Sequence, residues 1–99
     1  MNDGLLQKIY DATNSGLDIL LFYYPQAGEC VNNKKHFKIR ATEKTASASI
    51  KLIKNVWRII DWGDDSVAST PIEVVMREEN CNFYEALLKC ADRYNVSDT

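Results

Sequence analysis

The sequence predicts an α+β fold: a small antiparallel sheet of about three strands, with helices before it and two helices after it. Three observations predict it. Thr70-Pro71-Ile72-Glu73 and Asn82-Phe83-Tyr84-Glu85 each place a capping residue three positions before a glutamate, the signature of a helix start. Residues 37–40 and 48–53 alternate apolar with polar side chains, the period of a half-buried strand. Residues 16–24 are apolar almost throughout, too short a run to span a bilayer but right for a helix in a core. At 99 residues the chain suits a single domain, 1–99, with one modest core. With 45% hydrophobic and 26% charged residues it belongs among folded globular chains, which excludes intrinsic disorder.

Taken in order, Leu5, Leu6, Ile9 and Tyr10 mark a short amphipathic helix over 4–12. Ser15 offers an N-cap with Asp18 three residues on, and Pro25 disfavours helix in the residue before it. A buried helix over 17–24 is the expectation, followed by a polar, turn-like stretch over 26–35. Phe37 and Ile39 then alternate with Lys38 and Arg40, and Ile50 and Leu52 with Ser49 and Lys51. Lys54-Asn55 suits a tight turn, and residues 56–62, Val-Trp-Arg-Ile-Ile-Asp-Trp, are rich in β-branched and aromatic types. Three antiparallel strands over 37–40, 48–53 and 56–62 are expected, the last ended by Gly63-Asp64-Asp65. In the final helix Phe83, Ala86, Leu87, Cys90, Ala91 and Tyr94 form one continuous apolar stripe.

The net charge of -2 hides an uneven distribution: -3 over residues 1–33, +7 over 34–58 and -6 over 59–99. A basic centre between acidic ends points to an anionic partner for the centre. On a strand Lys38 and Arg40 share one face while Phe37 and Ile39 face the core. Lys51 and Arg58 can join them from neighbouring strands, with Trp57 and Trp62 nearby. Cations with aromatics on a sheet suit single-stranded nucleic acid, because cations track phosphates and rings stack on bases. The same pattern also describes a solvated charged face with its tryptophans in the core.

Other chemistry is weakly supplied. Cys30, Cys81 and Cys90 are odd in number and contain no Cys-x-x-Cys pair, so they read as free thiols, Cys90 as a core residue within the apolar stripe. With the single His36 they do not make a zinc site by spacing. Asp61, Asp64 and Asp65 could hold Mg²⁺ through oxygen ligands, but the stronger reading is a solvated loop that ends a strand and precedes a helix N-terminus, where negative charge is welcome. The four glycines are isolated, so no phosphate loop is present. The start, Met1-Asn2-Asp3-Gly4, is acidic and polar rather than basic and then apolar, so the expected address is the cytoplasm and no membrane partner is expected.

The order of these pieces carries a resemblance. Glu43-Lys44-Thr45-Ala46-Ser47 precedes a hairpin. An aromatic strand follows, ending Trp57-Arg58-Ile59-Ile60-Asp61-Trp62-Gly63. Then come Pro71-Ile72-Glu73-Val74-Val75-Met76 and Asn82-Phe83-Tyr84-Glu85-Ala86-Leu87. Over about residues 15–96 this resembles the N-terminal zinc-ribbon domain of bacterial-type DNA primases. That family has Cys-x-x-His before a Glu-Lys-Thr-Pro-Ser stretch, then a hairpin, Cys-x-x-Cys-Gly and a Phe-x-Glu-Ala helix. The resemblance places the four zinc-ligand positions at Lys38, Ala41, Ile59 and Trp62, none of which binds zinc. Ala46 replaces the family's proline, and about three extra residues follow Gly63. The implied fold is therefore a zinc-ribbon-like sheet that has lost its metal, with no cofactor. Were zinc held tightly after all, Cys30, His36 and Cys81 would be the suspects.

The resemblance implies an accessory role: contacting single-stranded template DNA for a separate primase catalytic domain, with no catalysis by this chain alone. Lys38, Arg40, Lys44, Lys51, Trp57 and Arg58 are the expected nucleic-acid contacts, chosen from the charge and strand pattern. The chain is then the leading fragment of a longer primase-like protein or a stand-alone relic. The alternative is a metal-free interaction domain that docks a replicative helicase or the primase catalytic part, favoured by the acidic C-terminal third.

Overall fold

The computed structural model describes residues 2–31, 35–39, 48–61 and 67–97. Helix α1 (Asn2–Ala12) and helix α2 (Leu17–Tyr23) lead into a 3₁₀ helix (Pro25–Cys30). Strands β1 (Ala48–Ile53), β2 (Val56–Asp61) and β3 (Val67–Ser69) form an antiparallel sheet in that spatial order. Helices α3 (Pro71–Glu79) and α4 (Phe83–Arg93) follow. The α+β architecture read from the sequence is present, with helices before and after a three-stranded sheet along the chain.

The third strand is not the expected one. Over 37–40 the described residues make a single bridge, Phe37 with Ala48, and the sheet is completed instead by β3. The side-chain amide of Gln26, in the 3₁₀ helix, donates to the carbonyls of Lys38 at 2.7 Å and Ile39 at 3.4 Å and ties this segment to that helix. The in–out alternation survives: Phe37 is buried, Lys38 exposed and Ile39 half-buried. The segment over 26–35 is also more than a turn, since Ala27 and Cys30 of the 3₁₀ helix enter the core.

Two apolar clusters adjoin. One joins Leu5, Ile9 and Tyr10 of α1, Ile19 of α2, Ile72 and Val75 of α3, and Ala86, Leu87 and Cys90 of α4. The expected stripe on α4 is its floor, with Phe83, Ala91 and Tyr94 packed at the margins. The second joins Leu20 and Tyr24, the 3₁₀ helix, Phe37, one face of β1 and β2, and Val74 of α3. Helices α2 and α3 face both clusters, with neighbouring residues divided between them: Ile19 against Leu20, and Val75 against Val74. This explains why residues 16–24 are apolar almost all round. The burial is not complete, because Phe22 is 56% exposed.

The α1–α2 connection departs from the expected serine cap. Asn14, Ser15 and Gly16 all take positive φ, and Gly16 (φ +88°) occupies the N-cap of α2 with no side-chain cap. A Cβ at Gly16 would meet Pro71 Cγ at 2.3 Å, so the starts of α2 and α3 touch where only glycine fits. The Ser15 carbonyl instead accepts from the Trp57 amide at 3.0 Å, covering part of the β2 edge that the short β3 leaves open. Thr13, fully buried, satisfies its hydroxyl on the Ile9 carbonyl at 2.7 Å. The two expected capping boxes are both formed, at Thr70 with Glu73 and at Asn82 with Glu85. Asn80 closes α3 in the left-handed region, which asparagine tolerates.

Gly16→Ala is expected to destabilise the fold by more than about 1 kcal/mol, because both the clash and the positive φ oppose a side chain. A urea midpoint equal to that of the parent would show that α2 and α3 do not depend on this contact.

Candidate nucleic-acid interface

The β1–β2 hairpin turns on Lys54 and Asn55, both at positive φ (53° and 68°), as a two-residue primed turn requires. That turn fixes the register: Lys51 stands opposite Arg58, and Leu52 opposite Trp57. Alternation sends these two pairs to opposite faces of the ribbon. Ala48, Ile50, Trp57 and Ile59 belong to the face packed on the second cluster. Lys51 and Arg58 lie on the other face, together with Val56, which packs against the first cluster. Lys51 is exposed, while Arg58 is half-buried and donates from Nε to the Ile53 carbonyl at 3.3 Å. That bond folds the guanidinium toward the hairpin tip.

Of the sequence-predicted contacts, Lys51 and Arg58 are thus brought together. Trp57 is on the same strands but on the reverse face, half-buried. Lys38 is exposed one residue beyond the Phe37–Ala48 bridge, where alternation points it away from the packed face. Arg40 and Lys44 lie outside the described residues, as do Ala41 and Trp62 among the four ligand positions that the resemblance implied. Of the other two, Lys38 is exposed and Ile59 is a core residue, 1% exposed.

The further metal and acid readings are not assembled among the described residues. Cys30 sits in one apolar cluster and Cys81 packs against the other, while His36 is exposed. Among the described residues no three His, Cys, Asp or Glu side chains group as metal ligands. Asp61 is half-buried at the end of β2, and Asp64 and Asp65 lie outside the described residues. No helix among the described residues is long and apolar enough to cross a membrane.

Sequence reasoning missed a polar network that joins the end of α2 to α3 and α4. Tyr23 donates to Glu79 Oε2 at 2.7 Å and accepts from Arg93 at 3.0 Å. Tyr24 donates to Glu78 Oε2 at 2.7 Å and accepts from Arg77 at 3.3 Å. The Arg93 guanidinium also lies 3.9 Å from the Phe22 ring centroid. Glu78 and Glu79 stand in the last turn of α3, where the helix dipole disfavours negative charge. Tyrosine hydroxyls and arginines offset that cost. Burial, aided by the Glu79 hydrogen bond, pushes the Tyr23 hydroxyl up to about 12, and the same bond holds the Glu79 carboxyl below its ordinary range. The sequence signal was the Tyr-Tyr-Pro end of an apolar helix, but its partners lie more than fifty residues away.

Leu52 was also missed as a surface feature. It is 54% exposed beside Trp57 at the tip, and Lys54 adds a third cation there. Reading Lys54-Asn55 as a two-residue turn would have paired 51 with 58 and 52 with 57.

No family model matches the chain, and no curated protein or solved structure matches it.

Tyr23→Phe is expected to cost about 1 kcal/mol through the lost hydroxyl bonds. Its pH profile carries the sign. The depressed Glu79 carboxyl stabilises the fold above the unfolded carboxylate range, and this is lost as pH falls through the folded value. The raised Tyr23 group leaves stability intact below its unfolded value of 10.0 and erodes it as pH climbs toward about 12. Denaturation across pH should therefore give the variant shallower losses at both ends. Profiles of identical slope would mean that the network does not couple α2 to α3.

Proposed function

We propose that this chain is a DNA-binding accessory domain of a primase-like replication protein, contacting single-stranded template DNA without catalysis of its own. The observation that carries this reading is the cross-strand pair Lys51 and Arg58, opposed on the ribbon face turned away from the second cluster. Two cations in register give the strand pair a short run of positive charge that an anionic backbone can track. Lys38 adds an exposed cation at the other end of β1, beyond the Phe37–Ala48 bridge, and the element order of a hairpin followed by two capped helices accords with the primase zinc-ribbon resemblance. In this reading the zinc positions are vacated: Ile59 packs in the core where the resemblance expects a ligand, and the domain folds without metal. The partners are then single-stranded DNA and a separate primase catalytic domain or replicative helicase.

A docking role is the second reading. Tyr84 and Leu88 are one turn apart on α4 and 56% and 47% exposed, an apolar pair on the surface of the acidic C-terminal third. Salt separates the two, because phosphate contacts weaken steeply with salt and an apolar dock does not.

Titrating a short single-stranded oligonucleotide into isotope-labelled protein should shift the amides of Lys38, Lys51, Trp57 and Arg58. With three phosphates contacted, log affinity should fall with log salt at a slope of about -2. Lys51→Glu should flatten that slope and weaken binding without altering the fold. No amide shifts at near-millimolar DNA would sink the DNA-binding reading and leave the docking one.

A further inference from the structure

We draw no further inference here: the strongest candidate, the exposed apolar patch of Tyr84 and Leu88 one turn apart on α4, carries nothing because nothing in the structure shows what covers it.

Discussion

Everything in this fold hangs on the side-by-side packing of α2 and α3. Their starts meet at Gly16 and Pro71, and their ends meet where Tyr23 and Tyr24 reach Glu79 and Glu78. The two helices therefore run in the same direction, fastened at both ends. Between those fastenings, adjacent residues of each helix divide their side chains between the two apolar clusters. The pair is the wall shared by the helical half and the sheet half. It also explains an unusual placement of charge, since two glutamates in a helix's last turn are tolerated when hydroxyls and guanidinium groups reach them.

That wall also places the sheet. The Ser15 carbonyl, presented by the turn that leads into Gly16, binds the Trp57 amide and docks the start of β2. From there the two-residue turn dictates which side chains of β1 and β2 share a face. The charge pattern at the tip is thus a consequence of register: a slip by one residue would send Lys51 to the packed face and Leu52 away from it.

The local parts of this architecture were readable in advance. Both capping boxes, the α4 stripe and the β1–β2 hairpin depend on residues within a few positions of one another, and each formed as the spacing indicated. What the sequence did not reveal depends on distant partners. Gln26 holds the backbone carbonyls of Lys38 and Ile39 to the 3₁₀ helix, and β3, at three residues, is too short to show a period. Ser15 has the right chemistry for a cap, but α2 starts from Gly16, at positive φ and close against Pro71. The candidate interface was half legible: the cations were visible as a basic centre, but their pairing, and the separation of Trp57 from them, needed the register.

The arrangement of the thiols has a practical side. Cys90 lies at 0% exposure on the buried face of α4, and burial pushes its thiol up to about 11, so little of it is thiolate near neutrality. Cys30, 4% exposed, is enclosed by the second cluster, while Cys81 sits half-open in the α3–α4 connection. The three sulfurs thus form a graded set of internal reporters: a small alkylating reagent reaches Cys81 in the intact molecule, and reaches Cys90 and Cys30 only when the helical half or the sheet half opens. Timing their modification separately would show whether the two halves come apart together or one after the other.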